Sequence, residues 1–269
     1  MHQPVKTSYA FALVIALSIG TISLVNWVND KIAVLDEASI TTQVAQVTST
    51  LGNGLAAYYK FDDISATSAI DSSGNGRDGS FVSSPSLTSD ARVGTGAITF
   101  SGTNKVSGPN VSLSGTDFSF AFWMRTGSSN SSVIGWGYNS FCSFEGKTFG
   151  CTVDGDSSGG VKVYDPDVIL NNNWHHFVYV VNANNQRLYV DGVERSSAVE
   201  ISKSTGGIIS LGVRISGSGG LIGSIDDARF YGRALTPSEV SQIFSISNDT
   251  VSSNPLVTQS ITPTPTPTP

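Results

Sequence analysis

Apolar and polar residues alternate with a period of two along much of the chain. In 118-FSFAFWM-124, the three phenylalanines and the methionine fall on one face of an extended segment. Because residues two apart share a face of a β-strand, this face is predicted to lie in a core and Trp123, on the other face, to be at least half buried. The runs 177-FVYVV-181 and 221-LIGSIDDARFY-231 predict two further strands, since β-branched and aromatic residues favour extended backbone.

Turn and cap signals divide the chain into short elements. The Asp-Gly pair in 187-RLYVDGVER-195 predicts a two-residue type I′ hairpin turn. One helix is predicted, in 236-TPSEVSQIF-244. Thr236 is its N-cap, Pro237 takes the first helical position and Glu239 closes a capping box. Many short strands and one small terminal helix indicate an all-β fold, a two-sheet antiparallel jelly-roll sandwich with one short C-terminal helix.

The N-terminal stretch from Tyr9 to Val28 is long, apolar and uncharged. About 20 apolar residues suffice to cross a bilayer as a helix, so residues 1–28 are predicted to be a transmembrane signal anchor or a signal peptide. Lys6 precedes the stretch and Asp30 follows it, so the positive-inside rule places the N-terminus in the cytoplasm and the rest outside. The sequence has no A-x-A-like cleavage site there, which favours an uncleaved anchor. Both alternatives predict a membrane-anchored or secreted, extracytoplasmic domain.

Three further regions follow this stretch. Residues 29–50 are polar with scattered aliphatic residues and are predicted to be a stalk, either a short helix or an extended linker. Residues 51–247 are long enough for one all-β domain. Residues 248–269 are a Pro/Thr-rich linker or tail that ends in 263-PTPTPTP-269, and such a tract stays extended because it cannot pack a core. The sequence leaves open whether this tract reaches into a cell wall or leads into a longer chain.

The composition excludes two classes of protein. The 269 residues carry a net charge of −6 and only 13% are charged, so there is no basic surplus to neutralise the phosphates of a nucleic acid. Apolar residues make up 39% of the chain, which is enough to build a core, so the chain as a whole is not disordered.

The two cysteines, Cys142 and Cys151, lie in 141-FCSFEGKTFGC-151. If Gly146-Lys147 is a two-residue hairpin turn, counting back along both arms places the cysteines opposite each other on an open pair, with α-carbons about 4.5 Å apart. That distance is within reach of a disulfide, and an oxidising compartment favours the bond. Two free buried thiols are the alternative.

Seven segments carry a resemblance to a known family. In chain order they are 54-GLAAYYKFDD-63, 71-DSSGNGRDG-79, 96-GAITFSG-102, 118-FSFAFWMRT-126, 173-NWHHFVYVVN-182, 187-RLYVDGV-193 and 223-GSIDDARFYGRALTPSEV-240. Together they resemble the laminin G-like jelly roll of the concanavalin A-like lectin/glucanase superfamily, over nearly all of residues 51–247. The resemblance implies the fold, and implies a function far less specifically, because this fold supports many functions.

The same resemblance implies a structural calcium ion at the edge of the sandwich. In the family the ion is held by an Asp/Asn-Gly loop and by an acid near the C-terminal strand. The matching positions here are Asp71, Asn75 and the acid pair of 225-IDD-227, of which the residues alone do not select one and the family motif favours Asp226. Asp62, after the first predicted strand, is a further candidate ligand. Calcium takes about six to eight oxygen ligands, which such a loop offers. The alternative is that Asp71 and Asn75 only cap turns.

No catalytic motif is found in residues 51–247. Relatives on this fold that cleave glycans use a Glu-x-Asp-x-Glu strand, which places carboxylates on one face of a sheet. None of the four glutamates in this region is followed by an acid two residues later. The adjacent His175 and His176 open a predicted strand and are interpreted as structural. We therefore predict that the domain is not an enzyme.

Binding is the function that remains. Aromatic side chains on a sheet face or loop pack against the apolar faces of sugar rings, and the candidates are Trp136, Tyr138 and Phe141, with Tyr164 further along. Ordinary packing is the alternative for each ring. Two functions are compatible with the sequence: a carbohydrate-binding module at the cell surface, or a structural or adhesive spacer domain that binds a surface protein.

Overall fold

The computed structural model describes residues 51–111, 117–129, 131–136, 140–153, 160–164, 169–182, 185–199, 207–212 and 219–249. The elements below lie in the compact unit Gly52–Pro269. The predicted membrane segment Tyr9–Val28, the stalk and the tail beyond Asp249 lie outside the described residues, so their assignments stay predictions. The first two residues of the predicted tail, 248 and 249, belong to the C-terminal helix. Within the described ranges, no helix is long and apolar enough to cross a membrane.

The described residues form sixteen strands and one helix. The strands are β1 (Leu55–Tyr59), β2 (Ser68–Ala69), β3 (Gly79–Val82), β4 (Ser86–Thr88), β5 (Ala97–Ser101), β6 (Lys105–Val111), β7 (Phe118–Thr126), β8 (Ser132–Trp136), β9 (Ser140–Glu145), β10 (Thr148–Thr152), β11 (Val161–Tyr164), β12 (His175–Asn182), β13 (Asn185–Val190), β14 (Val193–Val199), β15 (Gly207–Leu211) and β16 (Ile222–Tyr231). The helix, α1, spans Pro237–Asp249.

The strands pair into two antiparallel sheets. Sheet A has the order β14-β13-β12-β7-β16-β5-β4, and β1 also pairs with β16. Sheet B has the order β11-β10-β9-β8-β15-β6-β3-β2. The inward residues of both sheets form one core, so the predicted all-β, two-sheet antiparallel sandwich with a short C-terminal helix is confirmed.

Aromatic rings from the two sheets meet in the middle of the sandwich. The indole of Trp136 on β8 lies 4.7 Å from the ring of Phe120, 5.4 Å from that of Phe118 and 5.6 Å from that of Tyr179, measured between ring centroids. Phe118 and Phe120 come from the predicted inward face of β7. Since burying one large apolar side chain contributes about 1.5–3 kcal/mol, these contacts hold sheets A and B together.

Both faces of β7 are buried. The predicted inward face packs in the core, and Trp123 on the opposite face is only 2% exposed. Helix α1 covers it, because the ring of Phe244 lies 5.7 Å from the indole, and the guanidinium of Arg92 lies 4.2 Å above the indole ring. The prediction that Trp123 is at least half buried is confirmed.

The predicted capping box opens α1. The N–H of Glu239 donates to Thr236 Oγ1 at 3.2 Å, and the N–H of Thr236 donates to Glu239 Oε2 at 2.8 Å. Arg233 Nη2 also pairs with Glu239 Oε1 at 2.7 Å. These bonds satisfy N–H groups that the first turn of a helix cannot pair internally.

Both predicted hairpins are present. Val190 pairs with Val193 around Asp191-Gly192, whose φ angles of 52° and 77° are those of a type I′ turn. In the second hairpin, Cys142 of β9 pairs with Cys151 of β10, and their α-carbons lie 4.0 Å apart. The predicted register and the predicted disulfide between these cysteines are confirmed.

Candidate functional site

A groove lies on the outer face of sheet B, where β9, β10 and β11 run side by side. Alternation along β9 creates it, because Cys142 and Phe144 are buried whereas Phe141 and Ser143 are partly exposed and Glu145 is exposed. The residues that line the groove are Phe141, Ser143, Glu145, Thr148, Gly150, Cys151, Thr152, Gly160 and Lys162.

Backbone forms part of the floor of this groove. Gly150 pairs with Ser143 on one side and with Lys162 on the other. A Cβ atom at Gly150 would lie 3.0 Å from the carbonyl oxygen of Val161 and 3.1 Å from Cγ of Lys162, a very close approach. Glycine therefore keeps the floor low between the side chains of the two flanking strands.

The disulfide lies directly under the groove. Cys142 and Cys151 are 0% and 2% exposed, and the next pair along the hairpin is Phe141 opposite Thr152. A covalent link between adjacent strands at this point fixes the position of Phe141 relative to Thr152.

The groove combines three kinds of chemistry. Phe141 offers an aromatic surface, and hydroxyl groups come from Ser143, Thr148 and Thr152, a set that lines the floor and sides. Glu145 supplies an acceptor and Lys162 a donor, and the two carry opposite charges. This set suits a ligand that has both apolar ring faces and many hydroxyl groups.

The predicted ligand-binding aromatics fall in different places. The interpretation of Trp136 as an exposed ring is wrong, because its side chain is fully buried in the core, where it fills the space between the sheets. Tyr138 lies outside the described residues, and the backbone of Tyr164 pairs with Thr148 at the end of the groove. Of the stretch 135-GWGYNSF-141, it is Phe141 that lines the groove.

Sequence reasoning missed the polar lining of the groove. Ser143, Glu145, Thr148 and Lys162 lie at alternating positions of three short strands, a pattern that any solvent-facing side of a sheet shows. The signal was the hairpin register itself, since the turn that brings Cys142 opposite Cys151 also brings Ser143 opposite Gly150.

The loop that predicted a metal site is held by hydrogen bonds. Asp71 Oδ1 accepts the N–H of Tyr58 and that of Ser73, both at 2.9 Å. Asp71 Oδ2 accepts the N–H of Arg77 at 2.9 Å and the hydroxyl of Ser73 at 2.8 Å. Burial raises the pKa of Asp71, but these hydrogen-bond donors lower it by more. The pKa of Asp71 is therefore below its ordinary value.

The other predicted metal ligands do not join Asp71. Asn75 Nδ2 donates to the carbonyl of Leu55 at 2.8 Å, and Asp62 Oδ1 accepts the N–H of Thr95 at 2.6 Å. Asp226 is paired in register with Trp123, a residue whose indole is covered by α1. Among the described residues, no group of three or more His, Cys, Asp or Glu side chains is close enough to hold one metal ion.

Asp226 has one satisfied and one unsatisfied oxygen. Its Oδ2 accepts the N–H groups of Arg92 and Val93, each at 2.8 Å, whereas its Oδ1 is buried without a hydrogen-bond partner in the described part of the chain. Burial raises the pKa of Asp226 to about 7, which the two N–H donors only partly offset. The predicted ligands are engaged at different places: Asp71 and Asn75 with β1, Asp62 with Thr95, and Asp226 with Arg92 and Val93. They do not present the about six to eight oxygens that calcium takes, so the residues as placed do not fit a calcium ion.

The two histidines have structural roles. Asp191 Oδ1 accepts the N–H of His176 at 2.9 Å, and Asp191 Oδ2 lies 2.8 Å from His175 Nδ1. His176 is 1% exposed, and burial, helped by the nearby Arg229 charge, lowers its pKa to about 3. The neutral imidazole of His176 packs against the rings of Trp123 and Phe244, so its role is structural.

Several solved structures share this fold. Domain 4 of AbnA, a GH43 extracellular arabinanase from Geobacillus stearothermophilus, was solved in complex with arabinotriose; it is 22% identical, with a TM-score of 0.56 over 70% of this chain and 97% of that one. The binding domain of botulinum neurotoxin DC in complex with SialylT is 14% identical, with a TM-score of 0.59 over 73% of this chain and 52% of that one. The binding domain of botulinum neurotoxin serotype C1 is 15% identical, with the same TM-score and coverage. This chain thus spans about half of the length of the toxin domains.

Comparison at the sequence level gives the family. Usherin from Mus musculus is 29% identical over 93 residues, which are 32% of this chain and only 2% of usherin. The family model described as the concanavalin A-like lectin/glucanases superfamily, laminin G type, matches residues 100–241. Since that match covers more than half of the sequence, the chain belongs to the laminin G-like family of the concanavalin A-like lectin/glucanases superfamily.

Proposed function

We propose that the domain is a non-catalytic, extracytoplasmic binding module that holds a neutral oligosaccharide in the groove of β9, β10 and β11. The observation that carries the proposal is the placement of the Phe141 ring beside a row of hydroxyl groups, in a groove on an otherwise regular sheet face. Sugar rings present apolar C–H faces to such a ring and hydroxyl groups to such a row.

The charges in the groove favour a neutral ligand. Glu145 and Lys162 balance each other, so the groove has no surplus of positive charge to attract a sulfated or carboxylated sugar. Both side chains reach hydroxyl groups as readily as charges, because a carboxylate accepts and an ammonium donates several hydrogen bonds.

The structural neighbours support a carbohydrate ligand. Domain 4 of AbnA, which this chain matches over 97% of its length, was solved with arabinotriose. The neurotoxin binding domain solved with SialylT is matched over 52% of its length. At these identities the likeness extends to the fold alone, and the position of the site in this chain rests on its own groove.

The lining of the groove supports binding without catalysis. Hydrolysis of a glycosidic bond uses two carboxyl groups, about 5 to 10 Å apart on either side of the bond. Glu145 is the single carboxylate among the described residues that line the groove.

The disulfide supports a location outside the cytoplasm. Disulfides persist in oxidising compartments, so the bond between Cys142 and Cys151 supports an extracytoplasmic location. The predicted membrane segment Tyr9–Val28 supports the same location.

Titration of the full-length chain with arabinotriose, after a survey on a glycan array, tests the proposal. Phe141→Ala is expected to lower affinity by about tenfold or more, the equivalent of about 1.4 kcal/mol. Ile208→Ala is the matched control, because Ile208 is 44% exposed on β15 of the same sheet, outside the groove, and should leave affinity unchanged. Equal affinity of the two variants would place the glycan elsewhere.

A second candidate function is adhesion to a surface protein, and the edge of sheet A favours it. Strand β14 ends sheet A, and its Ser196 Oγ accepts the N–H of Lys162 on β11 at 3.3 Å. At its two ends β14 exposes Val193 by 55% and Val199 by 77%. Exposed edge strands accept an extended segment of a partner through backbone hydrogen bonds. Failure of the native chain to bind any glycan on the array would favour this function over the first.

A further inference from the structure

Strand β1 has one side that no other strand of sheet A covers. It pairs with β16 along one edge, and its other edge faces the Asp71–Gly79 loop, which forms an isolated bridge between Tyr59 and Asp71. An open strand edge presents unpaired backbone N–H and C=O groups, which must find partners or stay in contact with water.

The loop supplies partners to this edge from both side chains and backbone. The N–H of Tyr58 donates to Asp71 Oδ1 at 2.9 Å, and the carbonyl of Tyr58 accepts the N–H of Ser72 at 2.7 Å. The carbonyl of Leu55 accepts Asn75 Nδ2 at 2.8 Å. The polar residues of the loop thus continue the hydrogen bonding of the sheet.

Arg77 brings a positive charge to the same place. Its Nη1 donates to the carbonyl of Ala56 at 3.0 Å, and its backbone N–H donates to Asp71 Oδ2 at 2.9 Å. Its own carbonyl accepts the hydroxyl of the buried Tyr59 at 2.8 Å. A single residue therefore contacts a main-chain carbonyl of β1, the loop carboxylate and a core tyrosine.

We propose that the Asp71–Gly79 loop is a metal-independent clasp for the edge of β1, in which the Arg77 guanidinium takes the place of a bound cation. The oxygens that a calcium ion would need already accept hydrogen bonds: Asp71 takes four, and the carbonyls of Leu55 and Ala56 bind Asn75 and Arg77. Since the four hydrogen bonds to Asp71 use about all of the lone pairs of its carboxylate, calcium would have to break some of them before it could coordinate there. We therefore infer that calcium neither binds this loop nor stabilises the domain.

The clasp has a second consequence for the edge it covers. An uncovered, regular strand edge pairs readily with another chain. With the N–H and carbonyl of Tyr58 and the carbonyls of Leu55 and Ala56 engaged, β1 offers no template for such pairing.

Thermal unfolding of the full-length chain, in about 10 mM calcium and in EDTA, tests the proposal, since extracellular calcium modules bind at about 0.1–1 mM. The native chain is expected to unfold at the same temperature in both, within about 1 °C, and calorimetric titration with calcium should give no saturable heat. Arg77→Met removes the guanidinium but keeps a long side chain. It should lower the unfolding temperature by about 3–6 °C in both buffers.

Arg195→Met is the matched control, because Arg195 is exposed on β14 and the same chemical change there should shift the unfolding temperature by about 1 °C or less. A rise in the unfolding temperature of the native chain with calcium would overturn the proposal, and this arm needs no variant to fold. An Arg77→Met chain as stable as Arg195→Met would overturn the role of Arg77.

Discussion

Arg229 holds the carboxylate of Asp227 in a buried ion pair, with Nη1 2.9 Å from Oδ2 and Nη2 3.2 Å from Oδ1. The Arg229 guanidinium also donates to the hydroxyl of Tyr58 at 3.0 Å and lies 4.6 Å over its ring, and the same hydroxyl donates to Asp227. Asp227 has a φ of 52°, a strained value for a non-glycine residue that this set of contacts holds in place.

Replacing the buried Arg229 should lower the stability of the fold far more than replacing an exposed arginine would. Arg229→Met leaves the Asp227 carboxylate, which is 1% exposed, without its cation. Breaking a buried pair on one side costs about 3–5 kcal/mol, because the remaining charge stays desolvated. Urea denaturation measures the loss, and Arg195→Met, the same change at an exposed site, should cost about 0.5 kcal/mol or less. Similar midpoints for the two variants would show that the pair contributes nothing.

Because the pKa of Asp226 is raised, we expect the folded chain to become less stable as pH rises. Its folded pKa is about 7 and its ordinary value is 3.8, so between these values the folded chain keeps a proton that the unfolded chain has lost. Its contribution is complete below about pH 4 and is lost as pH rises through about 7, by up to about 4 kcal/mol. Asp226→Asn removes the titration while its side-chain oxygen still accepts the N–H groups of Arg92 and Val93.

The difference between the native chain and Asp226→Asn isolates this group. The lowered pKa of His176 adds the opposite slope below about pH 6.5, and the lowered pKa values of Asp71 and Glu239 add it at still lower pH, since the stabilisation from each group is lost as pH falls. These slopes are common to both chains and cancel. Between about pH 4.5 and 8, the unfolding free energy of the native chain, measured by urea titration, should fall relative to that of the variant as pH rises. Parallel curves would contradict the raised pKa of Asp226.

The sequence predicted the local features because each depends on residues close in the chain. The capping box needs only Thr236 and Glu239, and the disulfide follows from the register that one two-residue turn imposes on Cys142 and Cys151. Alternation in β7 likewise predicted its inward face. None of these needs knowledge of which strand lies beside which.

The site was harder to predict because it depends on non-local neighbours. Trp136 ends the run Ser132–Trp136, in which every residue is buried, so no polar alternation shows which way its ring points. The residue types of Asp71 and Asn75 indicate possible metal ligands. Only the position of the β1 edge shows that their side chains already hydrogen-bond to the backbone of that strand. Phe141 becomes a groove wall only once β11 lies beside β10.

The N-cap of α1 gives a prediction of moderate size. Thr236→Ala removes the hydroxyl that accepts the N–H of Glu239, and loss of a threonine cap costs about 1 kcal/mol. Thr236→Ser keeps the hydroxyl and is the control, expected to stay within about 0.5 kcal/mol of the native chain. Chemical denaturation followed by tryptophan fluorescence suits this test, because α1 covers Trp123. Equal losses for both variants would assign the effect to the methyl group instead of the cap.

The disulfide is expected to affect both stability and the proposed ligand. The double variant Cys142→Ala, Cys151→Ala should lose about 2–4 kcal/mol, because the unfolded chain regains the freedom that the crosslink removes. Since Phe141 and Thr152 are the adjacent pair, their spacing in the groove should loosen, and glycan affinity should fall even well below the unfolding temperature. Val163→Ala, a core truncation on β11, is the control that lowers stability without removing a crosslink. If both variants keep native affinity, the bond stabilises the hairpin but does not position Phe141; if both lose it, general destabilisation explains the effect.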